Sequence, residues 1–481
     1  MQTFAERPKL FTSRLSGFQK MKKILHYILF LALLLILLPS CGKSHSGNGL
    51  NPEFKPGTVV GRVTVQADTL QTYALFVPSG YSGDTKWPLV ICFDPHAEGL
   101  LPVNLFKAQA EKYGFILAGS NNSKNGLSLD ETTGICRNML EDLKQRFAVD
   151  DSVIYLAGFS GGSRVAGSIA LTEGTIAGVI GCGAGLPNLN QRPVRKFSYL
   201  AVAGTKDFNY SELRQLDDVL ESAGFTHYML EFDGPHAWPP DSLTSPIFTW
   251  IQFDRMRNGS LPADRDAINR FIDQTYSNAE KAGKTDLLRK VSILKMMKHY
   301  LDGLTDITPL QDEIDRLEKD PLVMKLEENQ ALLFEKENYL KEGYARQLQT
   351  ESLGWWSQEA AKLRKKANAP SNSAETAMYQ RVLGFLSMNS YSLSNSALKM
   401  NDLTAADHAI GLYEAVDPEN PEHRYMAATV SIKKGNSSLA INQLSSAIKL
   451  GFKDFTRLKN DPIFTPLHGN PQFQKLFPTH P

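Results

Sequence analysis

The sequence predicts an α/β domain built on a mostly parallel sheet, followed by an all-α, helical-repeat-like domain. Three observations carry this. Between Thr58 and about Asp254, strand-like and helix-like patterns alternate. Inside that stretch, residues 153–164 (VIYLAGFSGGSR) form an apolar run that leads through a Gly-x-Ser-x-Gly turn into a small-residue helical segment. Beyond Arg257 no convincing strand pattern appears, and a 34-residue period emerges near the end of the chain. With 481 residues there is room for two to four domains. A hydrophobic content of 42% against 21% charged residues suits a packed core. A formal net charge of +1 without a long basic run gives no support to nucleic-acid binding.

Residues 1–41 read as an export signal. Lys22 and Lys23 make a positive start, which makes Met21 the natural first residue, and residues 24–38 are apolar apart from His26 and Tyr27. That run is shorter than the ~18–20 residues of a spanning helix. It ends in Pro39-Ser40-Cys41-Gly42. Residues 38–41 resemble the lipobox of bacterial lipoproteins, although Pro39 departs from the usual small or β-branched residue. The resemblance implies lipidation of Cys41, attachment to a membrane by that lipid, and a place in the cell envelope. A cleaved secretory signal with an incidental cysteine is the alternative. Residues 42–56 (GKSHSGNGLNPEFKP) have the composition of a flexible tether. Setting Cys41 aside, Cys92, Cys136 and Cys182 are odd in number, so they cannot all pair within the chain. Cys92 and Cys182 lie in apolar runs, where free cysteines pack as small hydrophobes. No Cys/His spacing suggests a metal site, and no cofactor is implied.

The α/β domain is expected over residues 57–257. Residues 59–67 and 71–77 suggest an antiparallel hairpin, and 88–93 a short buried strand. A helix over 103–113, a strand over 115–119 and a helix over 131–147 follow, the last with apolar residues four apart at Ile135, Met139, Leu143 and Phe147. Residues 153–157 make the next strand and 162–171 the helix after the turn. Strands are expected at 176–181, 197–203 and 227–232, and helices at 210–223 and 241–256. Repeated βα units imply a parallel sheet covered on both faces.

The helical domain is expected over residues 258–481, beginning at the break Asn258-Gly259-Ser260-Leu261-Pro262. Helical patterns cover 263–281, 287–301, 321–348 and 375–390, with Pro321 suited to a first helical position. Ala406, Ile410 and Tyr413 recur 34 residues later as Ala440, Leu444 and Ala447, and Tyr391 recurs as Tyr425. Residues 387–450 therefore resemble two tetratricopeptide repeats, a degenerate match in which Arg424 and Ser431 stand where aromatics are favoured. That resemblance implies a surface for a protein partner. A helical bundle that only props the α/β domain is the alternative.

A serine hydroxyl needs a base, and the base needs an orienting carboxylate. Ser160 is followed by Asp207, just past the 197–203 strand, and by His236, just past the 227–232 strand. Both positions lie at the carboxyl edge of the sheet, where sites form in open parallel sheets. Asp233 and Glu212 are the rival carboxylates. The backbone N–H of Gly161 is expected to bind an oxyanion, with His96 or Ala97 supplying a second N–H, since Pro95 has none. His96 is also placed to meet substrate or to pack within its loop.

On Gly158-Phe159-Ser160-Gly161-Gly162, Asp207 and Gly234-Pro235-His236-Ala237-Trp238, residues 58–256 resemble an α/β-hydrolase of the esterase type, similar to the polyhydroxybutyrate-depolymerase and feruloyl-esterase-like groups. Asp94-Pro95-His96 departs from the His-Gly pair usual there. The resemblance implies a serine hydrolase acting on a small or polymeric ester. A serine peptidase with the same triad, and a helical-repeat interaction lipoprotein whose hydrolase domain is only a scaffold, are the alternatives.

Overall fold

The computed structural model describes residues 54–187, 192–370 and 374–478. The signal segment, Cys41 and most of the tether lie outside the described residues. Eight strands form one sheet: β1 (Val59–Thr64), β2 (Thr72–Phe76), β3 (Trp87–Phe93), β4 (Ile116–Ser120), β5 (Val149–Phe159), β6 (Ile176–Cys182), β7 (Ser198–Gly204) and β8 (His227–Phe232). Their spatial order is β1-β2-β4-β3-β5-β6-β7-β8. β2 runs antiparallel to both neighbours, and every pair from β4 to β8 is parallel. This is the α/β-hydrolase fold. The central strands are apolar at nearly every position because both faces are covered.

Helices α1 (Leu100–Tyr113), α2 (Leu129–Arg146), α3 (Gly161–Thr172), α4 (Tyr210–Ser222) and α5 (Asp241–Arg257) connect or follow the strands. α2 starts two residues before its expected position because Ser128 and Glu131 form a reciprocal cap: the Ser128 hydroxyl accepts the Glu131 N–H, and the Glu131 carboxylate accepts the Ser128 N–H. Cys136, Met139 and Leu143 on α2, Ala166 and Ile169 on α3 and Leu213 and Leu216 on α4 cover one face of the sheet. Phe106 on α1 and Phe248 and Ile251 on α5 cover the other. Cys92, Cys136 and Cys182 are free and buried, Cys92 and Cys182 packing within β3 and β6 as expected. Burial pushes the Cys136 thiol up to about 12 and those of Cys92 and Cys182 higher still.

The break after Arg257 ends the strands but not the packing. Helices α6 (Arg265–Gly283), α7 (Leu287–Leu301) and α8 (Thr308–Glu318) place Ile268, Leu294, Met297, Leu301, Leu310 and Ile314 in the same apolar cluster as β3, β5 and β7. The Tyr228 hydroxyl on β8 donates to the Ser292 carbonyl on α7, and Arg257 donates to the carbonyls of His299, Tyr300 and Asp302 at the end of α7. The expected division at 257/258 is thus not a packing boundary: α6–α8 complete one face of the sheet. α8 and α10 (Leu353–Ala367) are helices that the sequence patterns did not single out.

The remaining helices are α9 (Pro321–Gln347), α11 (Ala374–Lys399), α12 (Leu403–Val416), α13 (Glu422–Lys433), α14 (Ser437–Lys449), α15 (Phe455–Asn460) and α16 (Pro471–Gln474), with a 3-10 turn at Pro462–Leu467. Pro321 opens α9 behind an Asp320 cap. The recurring residues fall on α12 and α14: Ala406, Ile410 and Tyr413, then Ala440, Leu444 and Ala447, all buried. Asp402 and Asn436 cap these helices equivalently, each accepting the N–H three residues on. Helices α11–α14 form two successive helical hairpins. The sheet and the helices belong to one compact unit. Among the described residues, no helix is long and apolar enough to cross a membrane.

Candidate active site

β5 delivers Ser160 at the carboxyl edge of the sheet with φ 52° and ψ −118°, the conformation a glycine fills at the first central position of a type II′ turn. The two glycines of the motif make this turn sterically possible. A β-carbon at Gly158 would lie 2.2 Å from the Gly162 carbonyl oxygen, and one at Gly162 would lie 2.0 Å from the Phe93 carbonyl oxygen. Strand β5, helix α3 and the end of β3 therefore meet backbone to backbone. The Ser160 N–H donates to the Cys182 carbonyl at 2.8 Å, tying the turn to β6.

The two partners expected from the sequence converge on this serine. His236 Nε2 lies 2.9 Å from Ser160 Oγ, and His236 Nδ1 lies 2.9 Å from both carboxylate oxygens of Asp207. Asp207 is fully buried and also accepts the Asn209 N–H at 2.8 Å. The loops that carry them are stitched together: Thr205 N–H donates to the Phe232 carbonyl and Lys206 N–H to the Gly234 carbonyl. The imidazole lies between two rings, Phe159 at 4.6 Å and Phe208 at 4.3 Å between centroids. The rival carboxylates are engaged elsewhere. Asp233 pairs with Lys206, and Glu212 pairs with Arg164 while accepting the Gly185 N–H.

The expected oxyanion donors divide. Gly161 is the first residue of α3, where a backbone N–H has no intrahelical acceptor. The other two are turned away. His96 N–H donates to Asp94 Oδ1 at 2.8 Å and Ala97 N–H donates to the Asp94 carbonyl at 3.1 Å. Asp94 is buried, and its second carboxylate oxygen accepts the indole N–H of Trp238 at 2.8 Å. The loop after β3 thus spends both N–H groups on its own turn, which corrects the expectation for His96 and Ala97. The His96 side chain projects into solvent, 76% exposed.

Sequence patterns did not single out Asn125. Its N–H donates to the Pro95 carbonyl, holding the 121–128 loop against the loop after β3. Its carboxamide crowds Gly161: a β-carbon at 161 would lie 1.7 Å from Asn125 Oδ1 and 3.3 Å from Nδ2. Phe208 was likewise unread, though it directly follows Asp207. Among the described residues, no group of three or more His, Cys, Asp or Glu side chains is placed to hold a metal.

No family model and no curated protein sequence matches the chain. Similar solved structures align with its N-terminal part. They include the substrate-bound fluorophosphonate-binding serine hydrolase F of Staphylococcus aureus, at 13% identity over 41% of this chain and 98% of that one, with a TM-score of 0.33. A hyperthermophilic esterase of the archaeon Pyrobaculum calidifontis aligns at 12% identity over 41% and 86%, with a TM-score of 0.33. A tributyrin phosphonate form of esterase B from Lactobacillus rhamnosis aligns at 15% identity over 43% and 89%, with a TM-score of 0.36.

Proposed function

We propose that the chain is a serine hydrolase that cleaves an ester through a covalent acyl-enzyme. The observation that carries this is the unbroken relay Ser160 Oγ–His236–Asp207, with each link at 2.9 Å and the serine on a strained turn. Ser160 Oγ attacks the acyl carbon while His236 Nε2 takes its proton. The carbon–alkoxide bond then breaks, and His236 returns that proton to the leaving alcohol. A water repeats the cycle: His236 removes its proton, its oxygen bonds the acyl carbon, and Ser160 leaves with the proton from His236. Asp207 holds Nδ1–H, fixing the tautomer, and offsets the imidazolium charge.

The oxyanion is bound by the Gly161 N–H and, with the carboxamide turned to present Nδ2 in place of the Oδ1 that faces Gly161, by Asn125. Side-chain amides serve this purpose elsewhere, at ~100–1000-fold in rate per donor. Asn125→Ala is expected to lower kcat about 100-fold with little change in KM, whereas His96→Ala changes kcat only a few-fold. Equal effects of the two substitutions exclude Asn125 as a donor.

The enzyme is held in the cell envelope by a lipid on Cys41, and its tetratricopeptide-like hairpins α11–α14 offer a surface to a protein partner. A tagged palmitate incorporated by wild type and lost in Cys41→Ala checks the anchor. Fluorophosphonate labelling tests the chemistry. The folded chain is expected to label at Ser160, and Ser160→Ala not at all. An unlabelled wild type, or equal labelling of both, removes the hydrolase reading.

A further inference from the structure

We infer that the helical domain is part of the catalytic machinery: Glu337 on α9, acting with Lys341 and Arg381, is a positioning residue for Asp207 and through it for His236. This rests on the hydrolase reading above.

The loop between β7 and α4 carries Asp207. Its N–H groups are spent on the hydrolase side: Thr205 on Phe232, Lys206 on Gly234 and Asp207 on Gly204. Two of its carbonyls are held from the helical side. The Thr205 carbonyl accepts Arg381 Nη1 at 2.7 Å, and the Phe208 carbonyl accepts Lys341 Nζ at 2.9 Å. These acceptors bracket Asp207. Both cations converge on one carboxylate. Arg381 reaches Glu337 Oε2 through Nη2 at 2.6 Å and Nε at 2.8 Å, and Lys341 Nζ reaches Oε1 at 2.6 Å. Glu337 is fully buried, and the Arg381 and Lys341 side chains are only 6% and 11% exposed. The Arg381 guanidinium also lies over the Tyr210 and Phe334 rings, at 5.0 and 5.7 Å.

Charge accounts for the effect on chemistry. Glu337 and Asp207 carry one negative charge each, and Lys341 and Arg381 one positive charge each, so the buried set is neutral. Burial already draws the Lys341 ammonium below its ordinary range, with Glu337 and Asp207 opposing that. Removing the charge of Glu337 leaves two buried cations beside the carboxylate that must stabilise the imidazolium. A second contact acts through shape. The Phe208 ring lies against His236 on one side, and on the other a β-carbon at Gly384 of α11 would meet Phe208 Cβ at 3.3 Å and Cδ1 at 3.4 Å. Gly384 thus leaves Phe208 the room that sets the imidazole.

The test uses the full chain, with p-nitrophenyl butyrate and a fluorophosphonate as probes. Glu337→Gln keeps the shape and removes the charge. It is expected to lower kcat about 10–100-fold with KM unchanged within about threefold, and to move the acid limb of the kcat/KM profile to lower pH because the excess positive charge disfavours imidazolium. Glu337→Asp, which retains the charge, is expected to keep the acid limb in place. Gly384→Ala is expected to slow Ser160 labelling about three- to tenfold, with the helix preference of alanine offsetting part of the cost of crowding Phe208. If Glu337→Gln does not fold, Arg381→Lys decides, since lysine keeps the charge but cannot bond both Glu337 and the Thr205 carbonyl as the guanidinium does. Wild-type labelling at Ser160 together with wild-type rates and pH profile in the folded variants overturns this inference, while an unlabelled wild type overturns the hydrolase reading instead.

Discussion

The backbone at Ser160 allows a measurement of what the turn costs. Both Ser160→Ala and Ser160→Gly remove the hydroxyl and its bond to His236, so that loss cancels between them. The difference is conformational. At φ 52° and ψ −118° a non-glycine residue stores about 1–3 kcal/mol of backbone strain. Glycine releases that strain but costs about 0.4–1 kcal/mol through the extra freedom of the unfolded chain. Ser160→Gly should therefore be more stable than Ser160→Ala by about 0.5–2 kcal/mol. With an m-value of about 3 kcal/mol/M in urea, the midpoint rises by roughly 0.2–0.7 M. The assay is paired urea unfolding of the two inactive variants, followed by circular dichroism. An alanine variant as stable as the glycine variant would refute the claim that the fold holds its serine under strain.

Asp207→Asn should lower kcat by about 10,000-fold by allowing the wrong imidazole tautomer; an asparagine oxygen still accepts the Asn209 N–H, but the lost charge unbalances the buried Lys341 and Arg381, so its thermal midpoint should fall below wild type. His299 on α7 gives a pH dependence. Burial first, and then the neighbouring His227 and Lys298, push its pKa down from 6.5 to about 4. Between these values the unfolded chain binds a proton that the folded chain does not, so stability falls as pH drops from 6.5 towards 4, by no more than about 3 kcal/mol. His299→Gln should lose less stability between pH 7 and 4.5 in urea unfolding, and an equal acid loss in both proteins assigns the effect elsewhere. A chain ending at residue 257 should bind the dye ANS strongly and aggregate, because it uncovers the sheet face against which Leu294, Met297 and Leu301 pack; a soluble, dye-negative fragment contradicts that packing.

What the sequence made legible was local. Ser160, Asp207 and His236 each lie just beyond a strand, so recognising the strands was enough to bring them together. The oxyanion donors failed for a local reason of another kind. An aspartate ahead of a proline turns its own following N–H groups inward, and Asp94 does so at His96 and Ala97. Asn125 arrives from a separate loop, and no pattern joins it to Gly161. Helix α8 is short and strongly charged (TPLQDEIDRLE), so its two buried positions, Leu310 and Ile314, give a faint period. Glu337 and Lys341 stand four apart on α9, the spacing of an ordinary solvated ion pair. The loop after β7 and the start of α4 on one side, and α11 with Arg381 on the other, make them interior.

That docking bears on why the seam is charged at all. A buried ion cluster stabilises less than apolar residues of the same volume, because three charged groups must be stripped of water. An apolar seam between α9, α11 and the loop after β7 would hold the domains together at lower cost. It could not, however, supply donors to the carbonyls of Thr205 and Phe208, which accept from Arg381 and Lys341. Without those donors the two half-buried carbonyls would turn to water, and the turn that carries Asp207 would be free to relax. Arg381 and Lys341 meet that need, and Glu337 makes two adjacent cations tolerable in the interior. Helices α9 and α11 are therefore held against the hydrolase part by the same groups that hold the loop carrying Asp207.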